Sequence, residues 1–153
     1  MSIRLTLEGI TPDAYRSLAD GDWSGYKQTR LDERIDTDWQ GLQIMLCGPG
    51  PGVLGLEELA LQGGLPVDDP SEEDYGGAFV LPPHLVRMIA ARLAETDDDD
   101  IERTCARTPW EGTYYGGIPA EDVQESMIRA FHILQEFFTA CAEAGDGVLR
   151  ILG

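Results

Sequence analysis

The chain opens on an alternation. Ile3, Leu5 and Leu7 stand between Arg4, Thr6 and Glu8, and a period of two turns one face of a strand toward a core. Residues 2–9 are therefore expected to form a half-buried strand. The period changes at Thr11. Thr11 is suited to cap a helix and Pro12 to begin it, because the first helical residue has no N–H partner to lose. Tyr15 and Leu18 then share one face, and Gly21 and Gly25 interrupt the pattern. Helical spacing returns with Trp39, Leu42, Met45 and Leu46 on one stripe, which puts Trp39 in the core. Thr37 and Gln40 are spaced as a capping box, and Gly48 followed by Pro49 marks the stop.

Beyond this point the pattern predicts an acidic, proline-bearing loop over residues 65–77 and a short strand ended by Pro82 and Pro83. A helix follows with Leu85, Val86, Ile89 and Leu93 on its buried side. Four aspartates, residues 97–100, precede a short helix, where acids complement the helix dipole. Residues 108–119 form a loop or weak strand rich in glycine and aromatics. The longest helix covers residues 120–144. Its apolar positions Val123, Met127, Phe131, Leu134, Phe138 and Cys141 keep a period near 3.6, and Gly145 supplies its stop. Residues 147–152 close the chain as a strand. The terminal strands are expected to lie in one sheet, because a lone strand needs a neighbour and domain ends tend to meet.

The run Gly48-Pro49-Gly50-Pro51-Gly52 invites comparison with a phosphate-binding loop. Such a loop directs backbone N–H groups at an anion and then begins a helix. Here the glycines end a helix, two prolines have no N–H to offer, and no Lys-Ser or Lys-Thr pair follows. The reading is a rigid turn.

Composition narrows the field of functions. The 153 residues fit one domain with a real core. Asp and Glu number 28 against 11 Lys and Arg, for a net charge of −17. That field repels nucleic-acid phosphate and anionic lipid and attracts cationic partners. No apolar run reaches the roughly 18 residues of a membrane span. Cys47, Cys105 and Cys141 are dispersed and odd in number, which suits reduced thiols in a cytoplasmic protein.

Candidate chemistry is sparse. Consecutive aspartates point in different directions around a helix and lack the spacing of a calcium loop, so residues 97–100 read as a solvated helix start. Neither His84 nor His132 has a metal partner at i+3 or i+4, and no zinc or other cofactor is expected. No serine sits in a Gly-x-Ser-x-Gly elbow. Trp110, Tyr114 and Tyr115 are the candidate binding residues, since loop aromatics beside glycines let a partner approach. The competing reading makes them a lid on the core.

Several weak motifs fall in a shared order. Asp36, Trp39 and Leu42 lead into a helix reaching Leu46 and Gly48. Tyr75 and Gly76 precede a helix begun by Pro83 with Val86 and Leu93 on one face. Ala142, Gly145 and Asp146 end the long helix before the last strand. The chain resembles the YfbM-like family of small bacterial proteins, a domain of unknown function. The resemblance spans residues 1–153 and implies an α+β domain with no assigned activity and no catalytic residues to carry over.

The expected fold is a single α+β domain, with a small, mainly antiparallel sheet that includes both terminal strands and is packed by several helices. The expected function is a non-enzymatic acidic interaction module that binds a basic protein, in the manner of an immunity or antitoxin-like protein. The alternative is a small-molecule-binding protein or hydrolase using the loop around Trp110 and Tyr115.

Overall fold

A computed structural model of the chain describes residues 4–32, 35, 38–47, 55–67 and 77–153. The strands are β1 (Leu5–Ile10), β2 (Gln28–Asp32), β3 (Leu65–Val67), β4 (Gly77–Leu81) and β5 (Gly147–Leu152). The helices are α1 (Pro12–Ala19), α2 (Asp38–Cys47), α3 (Leu56–Gln62), α4 (Pro83–Ala94), α5 (Asp98–Arg107) and α6 (Ala120–Ala144), with a 3-10 turn at Tyr114–Gly117. The strands form one sheet in the order β2-β1-β5-β4-β3. Every neighbouring pair is antiparallel.

The two terminal strands are adjacent, as their patterns imply. β1 pairs with β5 from Leu5↔Leu152 to Ile10↔Gly147. The ladder runs on through Arg4 and Gly153, which exchange backbone hydrogen bonds of 2.7 and 3.0 Å. β5 is the middle strand, and its first four residues are all buried. Burial on both faces follows from its neighbours. Helix α1 covers one face with Ala14 and Leu18 against Ile10, Val80 and Leu149. The other helices cover the opposite face, where Leu5, Leu7, Leu81 and Val148 join the main core.

Helix ends follow local chemistry. Thr11 Oγ1 accepts from the Ala14 N–H at 3.1 Å, with Pro12 at the first helical position. Asp97 and Asp100 form a reciprocal capping box at α5: each carboxylate accepts from the other's backbone N–H, at 2.8 and 3.1 Å. The aspartate run thus starts a helix. At the end of α6, Gly145 takes a left-handed conformation, φ 73°, which glycine adopts without a Cβ penalty. Trp39, Leu42 and Met45 are buried in α2, and Leu46 is partly buried. The capping partner Thr37, the stop at Gly48 and Pro49, and the motif residues Ile3, Asp36, Tyr75 and Gly76 lie outside the described residues.

Three elements depart from the sequence pattern. β2 carries no alternation, because it is an edge strand whose first four residues are exposed. β3 occupies three residues of the expected acidic loop, Pro66 included, as an edge strand tolerates proline. The segment after the glycine-proline run is helical as α3, burying Ala60 and Leu61. In addition, the loop at residues 108–119 contains a 3-10 turn rather than a strand.

Arg150 is the most unusual core residue. It stands on the middle strand between Leu7 and Phe79 and is 2% exposed. Arginine is almost never so buried without partners. Its guanidinium donates to the carbonyls of Leu61 and, at 2.7 Å, Gly63, at the end of α3. It also lies 4.6 Å from the centroid of the Phe79 ring. Burial lowers its pKa to about 10, so it stays charged at neutral pH. The side chain joins the sheet to α3 by satisfying carbonyls that the helix leaves open.

Candidate functional site

The aromatic loop lies between the end of α5 and the start of α6. Its anchor is Tyr115, which is buried. The Tyr115 hydroxyl donates to Asp38 Oδ1 at 3.0 Å, and its backbone N–H donates to Thr113 Oγ1 at 3.1 Å. Burial, then the bond to Asp38 and its charge, raise the phenol's pKa well above the ordinary tyrosine range. Tyr115 is therefore a permanent donor to α2. Gly41 makes this docking possible: a Cβ there would stand 2.9 Å from the Tyr115 ring and 2.5 Å from Met127. Trp110 is half-buried, packs against the core, and donates from Nε1 to the Cys105 carbonyl at 3.1 Å. It meets Tyr115 edge to face, with centroids 5.2 Å apart. Tyr114 is 74% exposed and leans edgewise on Tyr115. The three aromatics thus separate in role: Tyr115 and Trp110 tie the loop to the core, and Tyr114 alone faces outward.

The anchored loop shapes a cleft beside these rings. A cavity of about 570 Å³ opens between α2, α5 and the loop, within the usual size range of ligand sites. Ile44 and Met45 form its α2 wall, Thr104, Arg107 and Thr108 its α5 wall, and Pro109, Glu111 and Thr113 its loop wall. None of these residues stood out in the sequence as a site residue, and Met45 read only as part of the apolar stripe of α2. The one available signal is the loop's division of labour, in which 109, 111 and 113 line the cleft while 110 and 115 pack on the core.

The threonines in this wall have spent their hydroxyl protons. Thr104 donates to the Asp100 carbonyl at 2.8 Å and Thr108 to the Thr104 carbonyl at 2.7 Å. Thr113 donates to the Trp110 carbonyl at 2.5 Å. They present methyl groups and acceptor lone pairs, so Arg107 holds the side-chain donors that the cleft has to offer.

The other reactive groups are distributed elsewhere. Cys47, Cys105 and Cys141 are free thiols. Burial, reinforced by Glu58 and Glu57, raises Cys47 to about 11; burial and Asp146 raise Cys141 to about 12, against an opposing pull from Arg30. Burial also raises Cys105. All three stay protonated at neutral pH, the opposite of an activated nucleophile. His132 Nε2 lies 2.6 Å from Asp98 Oδ1 in an exposed pair joining α6 to α5, and His84 is exposed near the start of α4. Among the described residues, no group of three His, Cys, Asp or Glu side chains is gathered as for a metal ion. No helix among them is long and apolar enough to cross a membrane.

Fold and cleft together define a small α+β domain with a single-sheet frame and a helix-walled recess. The chain belongs to the family described as a domain of unknown function, DUF1877, whose model matches residues 1–151. It is similar in structure to YfbM from Escherichia coli, a protein of unknown function. The TM-score is 0.70 at 16% identity, over 98% of this chain and 99% of that one. At that identity the likeness establishes the fold alone. No curated protein sequence matches the chain.

Proposed function

We propose that this protein is a non-enzymatic binding protein whose recognition site is the cleft between α2, α5 and the aromatic loop. The observation that carries this reading is the cleft itself: about 570 Å³, walled by rigid helices on two sides and by a loop tied down through Tyr115 and Trp110. Pre-formed, largely apolar recesses with a few polar groups are the usual form of ligand sites. The test is a thermal-shift screen of small apolar compounds. A true ligand raises Tm saturably, because it binds the folded state alone. The rise should vanish in Ile44→Trp, which fills the recess from the half-buried α2 wall. A screen in which every stabilising compound acts equally on Ile44→Trp would overturn the reading.

A second reading is a basic protein partner, favoured by the exposed acids of α5 and α6. Asp98, Asp99 and Glu102 on α5, and Glu121, Asp122, Glu125, Glu136 and Glu143 on α6, are all exposed. Their ion pairs are few and on the surface: Arg129 with Glu125 at 3.3 Å, and His132 with Asp98. Such exposed negative charge attracts a cationic protein at low ionic strength and loses it as salt screens the field. A partner retained unchanged at high salt would count against this reading.

A further inference from the structure

The cleft's charge and hydrogen-bonding inventory specifies a ligand. We propose that it takes a small apolar monocarboxylate, with the hydrocarbon body on Ile44, Met45 and Pro109 and the carboxylate on Arg107; this rests on the cleft being a binding site. Arg107 is exposed at the last residue of α5 and lines the cleft. Four other surface arginines are paired: Arg16 with Asp13, Arg92 with Glu57 and Glu95, Arg103 with Asp100, and Arg129 with Glu125. What sets Arg107 apart from exposed Arg30 and Arg87 is its place in the wall of the cleft. Arg107 has no ion-pair or hydrogen-bond partner among the described residues, in a chain where 28 acids face 11 Lys and Arg. The helix dipole accounts for a cation at this end but leaves the guanidinium N–H groups open. Those groups form a planar fork that matches a carboxylate.

The remaining wall is consistent with a single anionic head. Thr104, Thr108 and Thr113 have committed their protons to backbone carbonyls, so they offer no side-chain donor to compete with Arg107. Glu111 also lines the cleft. Its charge opposes negative charge beyond what Arg107 offsets, which favours a single carboxylate over a phosphate dianion.

The experiment is calorimetric titration of the whole protein, at low ionic strength, with three probes sharing one tail: octanoate, octan-1-ol and octylamine. Octanoate should bind at least about tenfold more tightly than octan-1-ol, the scale of one charge-assisted contact at a partly exposed site. Arg107→Gln should bring the two to equal affinity while keeping a cooperative transition with only a slightly lower Tm, since the side chain is exposed and unpaired and gives up only its favourable place at the helix C-terminus. Equal binding of octanoate and octan-1-ol by the native protein overturns the carboxylate but leaves the cleft as a binding site. So does tighter binding of octylamine, which would mean that the net negative charge governs the head group. Binding of no probe overturns the cleft reading and this inference together.

Discussion

Arg150 carries more of this fold than any surface charge. A desolvated guanidinium is costly, and it is retained here because two carbonyls of the α3 terminus and the Phe79 face receive it. Arg150→Ala leaves a cavity on the middle strand and strips donors from buried carbonyls. The expected cost is about 3–5 kcal/mol, read from chemical denaturation. Arg150→Met separates the two contributions, because it restores much of the volume without the donors. If Met matches the native midpoint, the hydrogen bonds contribute nothing net and this account of Arg150 fails. In the sequence, Arg150 shares alternate positions with Val148 and Leu152, against Leu149 and Ile151, and nothing local to the strand marks it as buried. Its burial depends on α3, whose carbonyls are distant in sequence.

At the scale of elements, β5 is the keystone. It pairs with β1 on one side and β4 on the other and packs helices on both faces. Removing residues 148–153 would leave β1 with β2 and β3 with β4 as separate two-stranded ribbons, which are marginal in water. The shortened chain should lose its cooperative thermal transition and its near-ultraviolet circular dichroism. Retention of a sharp transition would show that the helices alone hold the core. Two strands escaped the pattern for opposite reasons of exposure and length. Gln28–Asp32 is an edge with both sides largely in water, and Leu65–Val67 is too short to show a period.

Across the whole molecule, buried acids of high pKa make stability depend on alkaline pH. Cys141 is held neutral to about 12 and Cys47 to about 11 by burial and nearby carboxylates, and Tyr115 is raised as well. In the unfolded chain a thiol ionises near about 8.5. The folded state therefore binds more protons above that pH, so this contribution is whole below about pH 8.5 and declines as pH rises toward the folded values. Tm should fall between pH 8 and pH 10.5 at constant ionic strength, with a shallower fall in Cys141→Ala. A Tm independent of pH across that range would contradict the protonation states assigned to these groups.

The long helix and both terminal strands could be read directly, because their apolar periods extend over many residues and end in local signals such as Thr11-Pro12 and Gly145. The burial of Trp39 followed from the same stripe. The candidate aromatics were found, but not their division into two anchors and one exposed ring. That division depends on Asp38 and Gly41, which lie on a different helix. The cleft was invisible for the same physical reason: Ile44 and Arg107 become neighbours only when α2 and α5 pack around α6. Periodicity reports which face of an element avoids water. It cannot report which two faces meet, or what space they leave between them.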